Sequence, residues 1–242
     1  MENNEILRVE NLTIKTKTFE LLHDSSFSTN KSQIVLIQGA NGSGKTSILK
    51  AIMGFHERKV SIDSCKVFYK GELINHNNIN EFRKKIAYVE QEDFFTARTP
   101  YEYVKQSLLL SRNPNEKIIR SKLKETVASD EEKIVNLFKH FHKESIMFKR
   151  FSTPLSGGEL RITSLMAAFI RDSDLYILDE PINKLDYKTA AIVGNYISDL
   201  SARGASVLVI THCRMFMKSD KAYEIYENTL KKLEKVPLPC RQ

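Results

Sequence analysis

The eight residues from Gly39 to Thr46 have the types and spacing that phosphate chemistry needs. They satisfy the pattern G-x-x-x-x-G-K-[ST] and read Gly39-Ala40-Asn41-Gly42-Ser43-Gly44-Lys45-Thr46. Glycines let backbone N–H groups turn toward phosphate oxygens, the lysine offers a cation to the β- and γ-phosphates, and the threonine hydroxyl can bind Mg²⁺. A glycine-rich turn with an incidental lysine is the alternative. The complete pattern predicts a nucleoside-triphosphate site formed by Gly39, Asn41, Gly42, Ser43, Gly44, Lys45, Thr46 and Ser47.

A pair of carboxylates follows an apolar run further along the chain. Residues 175–178 (LYIL) lead directly into Asp179 and Glu180. Ligands of open parallel sheets collect where the strands end, so this position suits a metal and a reacting phosphate. We predict that Asp179, together with Thr46, holds Mg²⁺, and that Glu180 accepts a proton from the attacking water. A strand closed by a solvated acidic turn is the alternative.

One of the six histidines has a comparable position. His212 follows the apolar run 207–210 (VLVI) and Thr211, so a strand end delivers it in the same way. His140 and His142 are two residues apart on a predicted helix and point to different sides, which makes them a poor metal pair. We therefore predict a catalytic role for His212, with an ordinary hydrogen-bonded imidazole as the alternative.

The elements that must position these residues are short apolar runs separated by segments long enough for helices. Four such runs have the composition of strands buried on both faces, which is typical of a parallel sheet; they are residues 34–37, 86–89, 175–178 and 207–210. Residues 6–36 indicate strands and turns and precede the phosphate loop. The predicted fold is α/β, a P-loop core with an N-terminal antiparallel β region.

A helical segment interrupts this core. Thr99, Pro100 and Glu102 form a strong helix start, and Ser129 to Glu132 predicts another. An apolar stripe at i, i+3, i+4 and i+7 follows the second start and comprises Ile134, Leu137, Phe138 and Phe141. We predict a single domain in which residues 1–92 and 156–242 form the core and residues 93–155 form an inserted helical subdomain.

Composition excludes several other classes of protein. The chain has 242 residues, 41% of them hydrophobic and 28% charged, which is ordinary for a globular protein. The net charge of +7 is spread along the chain, so we expect no direct nucleic-acid binding. The three cysteines fit neither a disulfide framework nor a zinc site. No apolar run reaches the ~18 residues of a membrane span, which predicts a cytoplasmic protein.

The segment Leu155-Ser156-Gly157-Gly158-Glu159 narrows the class. Ser156 and Glu159 have the spacing of a capping box, and the two glycines expose the start of a helix to an anion. The segment closely resembles the signature motif of ATP-binding cassette (ABC) ATPases, and the order of the other motifs fits that family. The resemblance implies that Gln91 contacts Mg²⁺ and takes part in catalysis, that Asp186 lies in the D-loop, and that His212 contacts the γ-phosphate.

The resemblance also implies partners. In the family, two cassettes pair head to tail, so the phosphate loop of one and the signature of the other enclose each ATP. Ser156, Gly157, Gly158 and Asp186 are therefore expected to bind nucleotide in a dimer with a second copy of the chain. Hydrolysis would drive a polytopic membrane subunit, holding the chain at the inner face of the cell membrane.

The direction of transport and two other functions stay open at this point. Only about 30 residues follow His212, which leaves no room for the accessory domain of some importer cassettes and slightly favours export. A non-transport ABC ATPase, acting in assembly or on nucleic acid, is the first alternative. A nucleotide-sensing binding module is the second, although a pure sensor would not need Glu180.

Three positions depart from the family pattern. Thr16 stands where an aromatic residue commonly stacks on adenine, with Phe19 or Phe27 as possible replacements. Ile162 replaces the usual arginine of the signature helix, although Arg161 is beside it. Lys184 adds an unusual charge to the D-loop, at the predicted seam between two cassettes.

Overall fold

The computed structural model describes residues 4–55, 60–110, 125–212 and 219–234, and the side chains of 125–129 are outside that description. The described strands are β1 (Glu5–Thr16), β2 (Glu20–Asn30), β3 (Ile34–Gln38), β4 (Val60–Tyr69), β5 (Glu72–Leu73), β6 (Ala87–Val89), β7 (Leu175–Asp179), β8 (Ser206–Ile210), β9 (Lys221–Tyr226) and β10 (Thr229–Lys232). The described helices are α1 (Lys45–Ile52), α2 (Ile79–Lys85), α3 (Pro100–Leu110), α4 (Glu125–His140), α5 (Gly157–Phe169) and α6 (Tyr187–Ala202), with a 3₁₀ turn at Glu144–Ile146.

The larger sheet contains the four strands expected from the apolar runs. Its order is β10-β9-β3-β8-β7-β6, and all pairs except β9 with β10 are parallel. Every residue of β3, β7 and β8 is buried, which explains why these strands lack the alternation of a sheet with one wet face. Ile210 of β8 pairs with Ile37 of β3 and with Asp179 of β7, so the three strands end level with one another.

The smaller sheet forms the expected antiparallel region. Its order is β2-β1-β4-β5, and β1 pairs antiparallel with both β2 and β4. Leu7, Val9, Leu12 and Ile14 of β1 are completely buried in the same hydrophobic cluster as Val35 of β3. The cluster also contains Ile48, Leu49 and Ile52 of α1, so the helix that follows the phosphate loop is anchored by one apolar face.

Of the two predicted helix starts after β6, one agrees with the structure and one does not. Thr99 Oγ1 accepts a hydrogen bond from Glu102 N at 3.2 Å, and Glu102 Oε2 accepts one from Arg98 N at 3.0 Å, which confirms the start of α3. The predicted start at Ser129 is wrong, because α4 already begins at Glu125. The predicted apolar stripe is confirmed, since Ile134, Leu137 and Phe138 of α4 and Phe141, the residue after its end, are all buried.

Two compact units can be distinguished. One comprises Met1–Gln91, Asp174–Pro181 and Val193–Gln242, and the other comprises Glu92–Ser173 and Ile182–Ile192. The helical unit is thus larger than the predicted insertion at 93–155, because α5 packs with α3 and Ser107 Oγ donates to Ala167 O at 2.5 Å. The predicted division into a core of residues 1–92 and 156–242 and a helical subdomain of residues 93–155 stays a prediction. In the described part of the chain, no helix is long and apolar enough to cross a membrane.

Candidate functional site

The phosphate loop has the backbone that its glycines allow. β3 ends at Gln38 and α1 begins at Lys45, so the loop joins a buried strand to a helix N-terminus. Gly42 and Gly44 have φ angles of +79° and +95°, a region that side chains strongly disfavour. Gly44 is also the N-cap residue of α1, so it turns the chain into the helix whose positive dipole end faces the loop.

Lys45 lies across this loop. Its buried Nζ donates hydrogen bonds to the carbonyl oxygens of Gly39 at 2.8 Å and Ala40 at 2.9 Å. The ammonium is therefore held by the loop it belongs to, beside the backbone groups that suit phosphate oxygens. This arrangement supplies one fixed positive charge to an anion in the loop.

Three oxygen-bearing side chains predicted to hold a metal come together next to the loop. Thr46 Oγ1 donates to Asp179 Oδ2 at 2.8 Å and lies 3.5 Å from Gln91 Oε1. Asp179 is completely buried at the end of β7, and Thr46 is in the first turn of α1. A hydroxyl, a carboxylate and an amide oxygen form the kind of donor set that suits Mg²⁺. Within the described residues, no cluster of three His, Cys, Asp or Glu side chains offers an alternative metal site.

Glu180 is held in place by its backbone and by several hydrogen bonds. Its φ is +48°, unusual for a residue with a side chain, and its N–H donates to Ile210 O at 2.8 Å. Only 5% of the residue is exposed. Oε2 accepts a hydrogen bond from Thr211 Oγ1 at 3.0 Å, and Oε1 accepts one from His212 N at 3.1 Å. The carboxylate is therefore fixed by groups at the end of β8.

The His212 ring completes this arrangement. Its Nδ1 lies 2.7 Å from Glu180 Oε1, while 54% of the side chain is exposed. An ionised carboxylate only accepts hydrogen bonds, so the proton of this pair belongs on Nδ1. The ring therefore orients the buried carboxylate from one side and presents Nε2 as its second polar atom.

Thr211 is a functional candidate that sequence reasoning missed. It is buried, and its hydroxyl is one of the donors to Glu180. The signal was a hydroxyl residue directly before the selected histidine at a strand end. The signal was weak because successive side chains at a strand end point to opposite faces of the sheet. Only the pairing of β7 with β8 decides which of these side chains meets Glu180.

The start of α5 is a second candidate region, in the helical unit. Ser156 Oγ accepts from Glu159 N at 3.1 Å, and Glu159 Oε2 accepts from Ser156 N at 2.7 Å, so the predicted capping box is confirmed. The hydrogen bond from the Ser156 backbone holds the pKa of Glu159 below its usual range. Both side chains are therefore engaged with the backbone of their own helix start.

The loop before α6 adjoins this helix start. Asp186 accepts hydrogen bonds from Thr189 N at 2.9 Å and Thr189 Oγ1 at 2.7 Å, and these bonds lower the pKa of its carboxyl. A cavity of about 420 Å³ lies between the two segments. The structure thereby brings the predicted residues Ser156, Gly157, Gly158 and Asp186 together, with Lys143, Glu159, Lys184, Leu185 and Thr189 completing the wall.

The departures from the family pattern have different outcomes. Phe27 is buried against Tyr223, with ring centroids 6.0 Å apart, whereas Phe19 is exposed. Of the two aromatic candidates, Phe19 is thus the one a base could reach. Arg161 is buried and paired with Asp93 at 3.1 Å, so its guanidinium is an internal support of α5.

A largely parallel sheet with a phosphate loop after one strand (β3), and carboxylates after another (β7) with β8 between them, defines a P-loop nucleotide hydrolase. The family model described as "ABC transporter" matches residues 22–183. The chain belongs to the ABC transporter family, and it is an ATPase of the ATP-binding cassette type.

Relatives agree with this assignment. The chain is 30% identical over 213 residues to a probable branched-chain amino acid transport ATP-binding protein, LivG, of Methanocaldococcus jannaschii. The alignment covers 86% of this chain and 80% of the relative. It is 31% identical over 218 residues to the Fe(3+) ions import ATP-binding protein FbpC of Haemophilus influenzae, covering 88% of this chain but only 57% of that protein. The chain thus spans little more than half of the second relative's length.

A solved structure shares the fold. It is the dimeric structure of a post-hydrolysis state of an ATP-binding cassette bound to ADP and Pi. The TM-score is 0.75, the sequence identity 19%, and the alignment covers 96% of this chain and 100% of that one. The predicted class of fold is therefore confirmed.

Proposed function

We propose that this ATPase works as a head-to-tail dimer of two copies and drives a separate, membrane-spanning subunit of a transporter. The observation that carries the catalytic part is the fixed carboxylate of Glu180, held by Thr211 and His212 at the end of β8. Neighbouring strand ends and the phosphate loop contribute Asp179, Thr46 and Lys45 to the same unit.

The residues of this unit divide the chemistry among them. Lys45 and the loop N–H groups bind the β- and γ-phosphates, and Glu180 accepts a proton from water as the water oxygen attacks the γ-phosphorus. The bond from that phosphorus to the bridging oxygen breaks, which leaves ADP and phosphate. His212 holds Glu180 in position and, as the family resemblance implies, contacts the γ-phosphate.

Mg²⁺ is the cofactor that the donor set fits. Thr46, Asp179 and Gln91 would hold it, Asp179 through water, as oxygen ligands of a hard cation. When bound, the ion neutralises charge on the phosphates. The chain's own contribution is to keep the three oxygens within one short cluster, with Asp179 completely buried at the end of β7.

A second copy completes the nucleotide site. The chain has one phosphate loop and one signature segment, and the pocket formed by Ser156, Gly157, Gly158 and Asp186 contains none of the phosphate-loop residues. In the proposed dimer, this pocket meets ATP held by the other copy. The dimeric cassette bound to ADP and Pi, which shares the fold, supports this arrangement.

Coupling to transport is supported by the relatives' names. One is described as a branched-chain amino acid transport protein and the other as an Fe(3+) import protein. The import named for the second relative weighs against the slight preference for export, so we assign direction and cargo to the membrane subunit. That subunit would hold the chain at the inner face of the membrane.

The test uses Glu180→Gln, which keeps the size of the side chain but not its basicity. We expect phosphate release to fall roughly 10²–10⁴-fold while ATP binding persists. ATP should then trap a dimer that size-exclusion chromatography with light scattering detects. A Glu180→Gln variant that hydrolyses ATP at the wild-type rate would remove Glu180 from its proposed role.

The trapped dimer also tests the partner. We expect it to capture a polytopic membrane protein, in stoichiometric amount, from detergent-solubilised membranes of the native host. Recovery of only soluble proteins or nucleic acid, with a dimer that has formed, would contradict transport and favour the non-transport alternative.

A further inference from the structure

Lys184 has an unusual backbone for a lysine. Its φ is +67°, in the left-handed region, and the turn is closed by a hydrogen bond from Leu185 N to Ile182 O at 3.3 Å. The strain of this conformation is retained only where surrounding contacts require it. The loop therefore has a specific shape that its own sequence does not favour.

This shape presses the loop against the two glycines of the signature segment. A Cβ on Gly158 would lie 2.9 Å from the backbone oxygen of Lys184, closer than such atoms approach. A Cβ on Gly157 would lie 3.4 Å from Cδ of the Lys184 side chain. The backbone of Lys184 therefore excludes a side chain at 158, whereas a Cβ at 157 would only make ordinary contact with the Lys184 side chain.

The charged end of Lys184 is anchored in the same unit. Its Nζ lies 3.5 Å from Oδ2 of Asp93, whose side chain is only 4% exposed. The other oxygen of Asp93, Oδ1, accepts a hydrogen bond from Arg161 of α5 at 3.1 Å, and Arg161 is 1% exposed. Arg161 of α5 therefore holds Asp93 in place, and Lys184 ties the loop to the same carboxylate.

The remaining part of Lys184 faces the pocket. Its side chain is 47% exposed, and the residue lines the cavity together with Ser156 and Asp186. The carboxylates of Glu159 and Asp186 are engaged by backbone N–H groups. Lys184 thus forms part of the wall of the pocket that the proposed dimer presents to the second copy's ATP, while its ammonium pairs with Asp93.

We propose that Lys184 is a positioning residue for this pocket, and that its ion pair with Asp93 sets the loop on the signature glycines for nucleotide-dependent pairing of two copies. The inference rests on the proposed function, because the pocket meets nucleotide only in the dimer. Loss of the charge should weaken pairing but leave nucleotide binding to the single chain unchanged, since none of the pocket residues belongs to the phosphate loop.

The experiment measures ATP-dependent dimerisation in the Glu180→Gln background by analytical ultracentrifugation. Lys184→Met keeps the methylene cover over Gly157 but removes the charge, and we expect about three- to tenfold weaker pairing. Lys184→Arg should restore most of the loss. Lys133→Met, at an exposed lysine of α4, is the matched control for loss of one positive charge.

The experiment distinguishes failure of the proposed function from failure of the positioning role. If Glu180→Gln alone does not dimerise with ATP, the proposed function is wrong. If Glu180→Gln pairs and Lys184→Met has no further effect, or only as much as Lys133→Met, the positioning role is wrong. We expect the Lys184→Met chain to bind a fluorescent ATP analogue with unchanged affinity. A weakened affinity would overturn the inference, because the substitution would then impair nucleotide binding by the single chain and not only the pairing of two copies.

A double-mutant cycle identifies the partner of the charge. Asp93→Asn should weaken pairing too, and Lys184→Met should add nothing in that background if the two act through one ion pair. Independent, additive losses would place the action of Lys184 elsewhere. Asp93→Asn also disturbs the buried Arg161, so the thermal unfolding of this variant is measured as a control. If Asp93→Asn is unfolded, the loss of pairing in Lys184→Met and its recovery in Lys184→Arg decide the question.

Discussion

The nucleotide site and the signature pocket are built by opposite means. Around Glu180, the hydrogen bonds join residues that are far apart in sequence, such as Thr46 with Asp179 at 133 positions and Thr211 with Glu180 at 31. At the start of α5, the bonds join Ser156 and Glu159 three residues apart, and Asp186 binds Thr189 at the same spacing. One region depends on the sheet, and the other on helix starts.

Burial follows the same division. Lys45, Asp179, Glu180 and Thr211 are all buried, whereas Ser156 and Gly157 are exposed. A buried polar group is costly to leave without its partner, so substitutions in the first region should have large effects on binding or catalysis. A helix cap on the surface contributes less to the stability of the single chain, so substitutions in the capping box should change its stability only slightly.

The largest expected effect on ATP affinity is the loss of the phosphate-loop cation. Lys45→Ala removes the charge held by Gly39 and Ala40, and we expect ATP affinity to fall about 10- to 100-fold. Isothermal titration with ATP measures the change. Lys50→Ala, later in α1, is the control, and an equal loss for both variants would show that only helix charge matters.

A smaller effect is expected from the long-range donor to Glu180. Thr211→Val keeps the shape of the buried side chain but removes the hydroxyl, and we expect kcat to fall about tenfold with little change in KM. Steady-state phosphate release measures both constants. Thr211→Ser should recover most of the rate, and a Thr211→Val enzyme with unchanged kcat would show that the histidine alone orients the carboxylate.

The smallest effect is expected at the helix start. Because the Ser156 backbone holds the pKa of Glu159 below its ordinary value of 4.5, the ionised carboxylate stabilises the fold above that value. This contribution is lost as the pH falls through the lowered pKa. Glu159→Gln keeps the acceptor for Ser156 N but does not titrate there, so its Tm should fall less steeply than the wild-type Tm on acidification.

Thermal unfolding across about pH 6 to pH 3 provides the measurement. Glu159→Ala, which also removes the acceptor, should lower Tm at neutral pH as well, whereas Glu159→Gln should leave it nearly unchanged. If the Tm of the wild-type and Glu159→Gln chains falls equally with decreasing pH, the ionised Glu159 does not stabilise the fold. That result would weaken the contrast between the two regions.

Several particular elements could be predicted because the signals are local. The phosphate loop, the start of α3 and the capping box of α5 depend on residues within one or two turns, and all three are confirmed. The start of α4 could not be placed this way. The cluster from Ser129 to Glu132 resembles a cap, but the same residue types also occur inside a helix, and α4 already begins at Glu125.

Other features could not be predicted because their partners come from distant segments. Thr211 binds Glu180 because β7 and β8 pair in one register, and a different register would present other side chains. Asp93 supports Arg161 across 68 positions, and Lys184 reaches the same carboxylate from another loop. Charge and spacing along the chain contain no trace of these pairs.

The sequence by itself determined the candidate reacting groups and the class of fold. These features are local: glycines that allow positive φ, a lysine beside them, and carboxylates after an apolar strand. They can therefore be recognised from neighbouring residues without the rest of the fold. Only the tertiary structure decided which donors hold Glu180, how the oxygens proposed to bind Mg²⁺ meet, and that Lys184 lies on the signature glycines. The physical reason is that sheet register and packing between helices, rather than neighbours in sequence, bring these atoms within hydrogen-bonding distance.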